Sequence, residues 1–137
     1  MENLRVLVIE DEPIMRELLK DMLYQTGATL VVACENAAAA KAHFAAESFH
    51  IIMLDLGLPD MDGHELMQEF KTSNDSQHIV LVTADDSIDS IQRAISAGAN
   101  GYVVKPYSKE KIQDVVNNYI MVHSDEAETL KGLTRPH

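Results

Sequence analysis

Leu4-Arg5-Val6-Leu7-Val8-Ile9-Glu10-Asp11-Glu12-Pro13 sets an apolar run, an acidic triplet and a proline side by side. The run does not alternate with polar residues, so it reads as a strand buried on both faces, as a parallel sheet covered by helices requires. Pro13 suits the first position of a helix. Behind it, residues Pro13–Gln25 place Ile14, Leu18, Leu19, Met22 and Leu23 on one face. The stretch is therefore one strand–helix unit that delivers carboxylates to the carboxyl end of its strand.

The unit repeats along the chain. Further apolar runs occur at Thr29–Cys34, Ile51–Leu54, Ile79–Val82 and Tyr102–Val104. Helical stretches separate them: alanine-rich Asn36–Ala46, then Gly63–Lys71 with Leu66, Met67 and Phe70 at helical spacing. Ser87–Ala97 carries Ile88, Ile91 and Ile95 before Gly98, and Ser108–Val122 is expected to bury Ile112, Val115, Val116, Tyr119 and Ile120. Five alternating pairs with right-handed crossovers imply an α/β fold, a doubly wound (βα)5 parallel sheet with helices on both faces. Ligands of such sheets bind beyond the carboxyl ends of the strands. With 137 residues the chain suffices for one domain, expected over 1–122. His123–His137 is polar, lacks apolar periodicity and is read as a tail or linker.

Composition narrows the function. Twenty-two acidic against eleven basic residues give a net charge of −11. Such a surface repels phosphate backbones, which argues against direct nucleic-acid binding and favours cations or basic partners. The single Cys34 cannot form an internal disulfide and fits a reducing cytoplasm. The sequence shows neither a signal peptide nor a membrane-length apolar run, so a cytoplasmic protein without membrane contact is expected.

The chemistry gathers at the strand ends. Glu10-Asp11-Glu12 follows the first strand, Asp55 ends the third, Thr83 the fourth and Lys105 the fifth. Carboxylates crowded on one rim repel one another unless a cation neutralises them, and oxygen ligands of this kind suit Mg²⁺. Each residue alone has an ordinary explanation: Glu12 as a helix cap, Asp55 as the start of a turn, Thr83 as a backbone partner, Lys105 as a solvated charge. Four such residues at the ends of four strands make coincidence a poor account.

Val6-Leu7-Val8-Ile9-Glu10-Asp11-Glu12, Leu54-Asp55-Leu56-Gly57-Leu58-Pro59-Asp60-Met61-Asp62-Gly63, Thr83-Ala84 and Lys105-Pro106 together resemble the receiver family of two-component signal transduction, including its single-domain chemotaxis regulators. The match spans roughly residues 4 to 122. The resemblance implies a flavodoxin-like sheet of strand order 2-1-3-4-5, with Asp55 as phosphoacceptor. It implies a Mg²⁺ ion held by Asp11, Asp55 and the Gly57 carbonyl, with Glu10 acting through a water. Glu10 departs from the aspartate more usual there, and Glu12 falls outside the site. Lys105 and Thr83 would contact the phosphoryl group, and Thr83 with Tyr102 would form the switch. The Lys105-Pro106 bond resembles one that is cis in the family, and Gly57 and Asp85 occupy positions that tune dephosphorylation.

The implied partners are a histidine kinase or histidine phosphotransfer protein, and an output protein or domain met through the fourth helix, fifth strand and fifth helix. Met1 directly before the first strand favours a native N-terminus, either of a stand-alone regulator or of a longer one continuing past the linker. Such a chain is a signalling domain rather than an enzyme, assisting only its own phosphorylation and dephosphorylation. A Mg²⁺-dependent phosphohydrolase with an aspartate nucleophile is the competing reading, but that chemistry needs a second Asp where Gly57 stands. A flavin or nucleotide site is disfavoured because Glu10-Asp11-Glu12 would repel phosphate. An unphosphorylated interaction module of the same fold is the other alternative. The six histidines show no metal-ligand spacing and are read as surface or packing residues, while Met15, Met22, Met53 and Met67 are expected in the core.

Overall fold

The computed structural model describes residues 3–132. Its elements alternate as expected: β1 (Arg5–Ile9), α1 (Pro13–Gln25), β2 (Leu30–Cys34), α2 (Ala37–Ala46), β3 (Ile51–Asp55), α3 (Gly63–Ser73), β4 (His78–Thr83), α4 (Ile88–Ser96), β5 (Gly101–Val104) and α5 (Lys109–Gly132). The five strands form one sheet of order β2-β1-β3-β4-β5, all parallel. The order is the expected 2-1-3-4-5, and it reverses direction beside β1, which opens the crevice between β1 and β3.

Burial follows strand position. Central β3 and β4 are buried throughout, whereas edge strands β2 and β5 are only partly covered. Two apolar layers flank the sheet. One packs Leu19, Leu23, Ile112, Val116 and Tyr119 of α1 and α5 on Val6, Val8, Met53, Val80 and Val103. The other packs Ala40, Leu66, Met67, Phe70 and Ala94 of α2, α3 and α4 on Leu7, Ile9, Ile52, Leu54, Ile79 and Leu81. Odd and even residues of each strand thus serve opposite layers, as the pleat demands.

Two apolar stripes are only partly covered, and one helix end needs correcting. Ile14 and Leu18 do not join Leu19 and Leu23 inside; Ile14 is 76% exposed, because the α1 face on the sheet is narrower than its apolar stripe. On α4, Ile88 and Ile95 are 71% and 62% exposed while Ala94 is buried, the small residue letting the helix approach the sheet closely. The fifth helix does not stop at Val122 but runs to Gly132, since Ala127, Glu128, Leu130 and Lys131 are good helix formers even without an apolar stripe. Residues 133–137 of the expected tail lie outside the described residues.

Capping fixes where the helices begin. Asn36, Asp62 and Ser87 each accept a backbone hydrogen bond from the first turn of α2, α3 and α4. Glu12 occupies the same position before α1, yet its side chain makes no capping bond and stays exposed.

Candidate functional site

The strands leave their last side chains on one rim. The Glu10 N–H donates to the Cys34 carbonyl at 3.0 Å, continuing the β1–β2 ladder by one residue and carrying the Glu10 side chain inward. Glu10 is only 2% exposed, whereas neighbouring Asp11 is exposed at the mouth. Arg16 braces this turn by donating to the carbonyls of Glu10 at 3.0 Å and Asp11 at 3.4 Å. Asp55, at the end of β3, is also buried, and its Oδ1 accepts from the Gly57 N–H at 3.0 Å.

Lys105 closes the site from β5. Its N–H donates to the Thr83 carbonyl at 2.7 Å, and the Lys105-Pro106 peptide is cis. The ammonium lies 2.7 Å from Glu10 Oε1 and 3.4 Å from Asp55 Oδ2, so one cation faces two buried carboxylates. Thr83 ends β4 with its hydroxyl accepting from the Asp85 N–H at 3.2 Å. The Tyr102 hydroxyl donates to the Asp85 carbonyl at 2.6 Å, tying β5 to the loop that follows Thr83.

Electrostatics follow from this crowding. Burial, then the adjacent Asp55 carboxylate, push the Glu10 carboxyl up to about 7 despite the opposing pull of Lys105. Burial draws the Lys105 ammonium down, but Glu10 and Asp55 together outweigh it and its pKa is raised. Tyr107, buried beside these groups, has its phenol pushed up by burial and by the charges of Glu10 and Asp55. One ammonium against three carboxylates leaves a net negative rim.

Carboxylate oxygens of Glu10, Asp11 and Asp55 come within 4.8 Å of one another. Two of the three residues are buried, none offers nitrogen or sulfur, and Glu10 Oε1 is buried without a hydrogen-bond partner beyond its ion pair. An all-oxygen set with unspent negative charge fits a hard divalent cation such as Mg²⁺.

Every strand-end residue singled out from the sequence stands on this rim, and Glu12 stands outside the carboxylate group. Sequence reasoning did not show that Glu10 is the most deeply placed carboxylate of the group, and it missed Gly63. A side chain at Gly63 would put its Cβ 2.6 Å from Leu56 Cα and 2.9 Å from the Asp55 carbonyl. The turn after Asp55 therefore folds back through a space only glycine leaves free. No local sequence signal distinguishes this from an ordinary helix start.

Comparison with known proteins agrees with the geometry. Residues 6–117 match the family model described as the response regulator receiver domain. Chemotaxis protein CheY of Bacillus subtilis is 29% identical over 113 residues, covering 82% of this chain and 94% of that one. Response regulator protein FleR of Pseudomonas aeruginosa is 33% identical over 117 residues, covering 85% of this chain but only 24% of the longer relative. Among solved structures, a CheY-like response regulator receiver domain protein from Methanospirillum hungatei superposes with a TM-score of 0.82 over 90% of this chain and 98% of that chain, at 23% identity, a likeness of fold.

Proposed function

The chain belongs to the response regulator receiver domain family of two-component signalling, and from that premise we propose that Asp55 is its phosphoacceptor and that the rim around it is the transfer site. The observation that carries the reading is the buried Asp55 carboxylate, held between the Gly57 N–H and the Lys105 ammonium beside two further carboxylates. An Asp55 oxygen attacks the phosphorus of a phosphohistidine; the O–P bond forms as the P–N bond breaks, and the leaving imidazole takes up a proton from water.

Asp11, Asp55 and the Gly57 carbonyl would hold Mg²⁺, with Glu10 assisting through a water. The ion would neutralise charge on the incoming phosphoryl group. Lys105 would do the same, and its pairing with Glu10 keeps the ammonium in place beforehand. The Thr83 hydroxyl, which accepts from the Asp85 N–H, would donate its own hydrogen to a phosphoryl oxygen.

Thr83 and Tyr102 converge on Asp85, one through its N–H and the other through its carbonyl. This shared residue supports a switch in which recruitment of Thr83 resets the β4–α4 loop and the Tyr102 contact. The exposed Ile88 and Ile95 of α4 provide an apolar surface for an output partner on the α4, β5 and α5 face. The family implies histidine kinase or phosphotransfer partners upstream. The chain itself works as a signalling module rather than an enzyme, in the cytoplasm, without direct nucleic-acid contact; among the described residues no helix is long and apolar enough to cross a membrane. Residues 1–122 would act as the receiver unit, with 123–137 as a tail or linker.

The test is incubation with a small phosphodonor and Mg²⁺ followed by intact mass measurement. A single phosphoryl adduct, lost on treatment at alkaline pH and absent in Asp55→Ala, is expected. An adduct that survives Asp55→Ala would overturn the assignment.

A further inference from the structure

The loop from β3 to α3 carries Gly57, and its outer side makes a contact that the chemistry above leaves unused. Asp60 Oδ1 accepts from the Ala37 N–H at 2.8 Å, and Oδ2 accepts from the Ala38 N–H at 3.0 Å. These are the first two residues of α2. That helix already has a local cap, since Asn36 accepts from the Ala39 N–H at 2.8 Å. The two amide bonds hold the Asp60 carboxyl below its ordinary range, the Ala37 bond first.

The helix therefore has its own cap without Asp60, and the loop is the element that gains. Loop residues 56–62 are pinned at one end where Gly63 lies against Leu56, its N–H donating to the Leu56 carbonyl at 3.2 Å. Exposed Gly57 has no side chain to anchor it. A carboxylate spending both oxygens on two successive amides fixes orientation as well as distance.

We propose that Asp60 is a positioning residue, clamping the β3–α3 loop to the first turn of α2 and thereby setting the Gly57 backbone that serves the Asp55 site. The inference rests on the reading of Asp55 as phosphoacceptor with a Mg²⁺ site. It makes α2 part of the machinery that determines cation affinity and phosphorylation rate.

The experiment compares the whole chain with Asp60→Ala, Asp60→Asn and Asn36→Ala. Mg²⁺ is titrated while the Gly57 backbone amide resonance is followed, the rate of adduct formation with acetyl phosphate is measured, and each melting midpoint is recorded. Asp60→Ala is expected to weaken Mg²⁺ binding and slow phosphorylation on the order of tenfold. Asp60→Asn, which keeps one acceptor oxygen, falls between Asp60→Ala and wild type. Asn36→Ala lowers the melting midpoint as a lost cap does, yet leaves Mg²⁺ affinity unchanged. Wild-type affinity in Asp60→Ala, or an equal loss in Asn36→Ala, would overturn the positioning role while leaving Asp55 as phosphoacceptor. A wild-type chain that neither binds Mg²⁺ nor forms an adduct would overturn both.

Discussion

At the carboxyl ends of β1, β3 and β5 the sheet brings Glu10, Asp55 and Lys105 into one largely buried space. At its amino end, His50 and His78 meet Tyr119 and His123 of α5 through ring contacts of 5.0 to 6.1 Å, and Tyr119 and His123 lie 4.1 Å apart. The first end keeps ionised groups together where water is scarce. The second is a tilted and edge-on stack in which burial, then neighbouring charge from Arg5 or His123, lowers the imidazole pKa of His50 and His78. One sheet thus gathers charge at its carboxyl-end rim and keeps the imidazoles neutral-leaning where helix α5 is docked. Repulsion at the rim is a load that the rest of the fold offsets.

The sharpest way to break this comparison is Asp55→Asn. Phosphoryl adduct formation should vanish by intact mass measurement. The amide keeps an Oδ1 acceptor for the Gly57 N–H while removing one of two buried carboxylates, so metal-free stability should rise by about 1 kcal/mol in urea unfolding. A fall in stability would mean that the rim is held together by its charges rather than in spite of them.

The opposite end predicts the opposite coupling. His78 is 3% exposed, and burial, with the charges of His123 and Lys71, lowers its pKa from 6.5 to about 4. As pH falls, the unfolded chain takes up the proton first, so stability is full above about 6.5 and is lost progressively down to about 4. At 1.36 kcal/mol per pH unit that interval amounts to about 3 kcal/mol. Because His78 Nε2 is buried with no hydrogen-bond partner, His78→Phe should flatten this part of the pH profile and leave adduct formation at neutral pH unchanged. An unchanged acid slope in His78→Phe would show that other groups govern it.

Glycine separates backbone packing from charge at the rim. Gly63→Ala meets Leu56 Cα at 2.6 Å and should cost about 2 kcal/mol, with loss of Mg²⁺ affinity because the Asp55 turn must open. Gly57→Ala places its Cβ 3.8 Å from Asp55 Oδ1, an ordinary contact, and should change stability by no more than about 0.5 kcal/mol. Equal effects would mean that the turn is not held by close backbone approach.

The two ends were unequally legible in the sequence. Glu10, Asp55, Thr83 and Lys105 could be found because each interrupts or ends an apolar run, and strand ends converge in a parallel sheet. His78, by contrast, begins a strand and shows nothing locally of Tyr119 or His123 until α5 is laid across it. Periodicity identifies the apolar stripes of α1 and α4 but not how much of each the sheet covers, and Ile14, Leu18, Ile88 and Ile95 lie on the uncovered part. The Asp60 contacts lie 22 and 23 residues away in sequence. A turn-forming aspartate looks the same whether or not a distant helix receives it. The length of α5 is not legible because residues 123–132 carry no apolar stripe to mark them as helical.

Mg²⁺ itself gives the finest resolution between the ends. A cation that binds only the folded chain stabilises it by RT ln(1 + [L]/Kd), about 1.4 kcal/mol at tenfold excess over Kd. The rise should be seen in thermal unfolding with Mg²⁺ and be nearly absent in Asp11→Asn, whose exposed side chain can be neutralised without disturbing the core. Amide resonances of Glu10, Asp55 and Gly57 should move during the titration while those of His50 and His78 stay fixed. Movement at both ends would mean that charge on the rim is transmitted through β3 and β4 to the docking of α5, and the two ends would then have to be treated as one coupled unit.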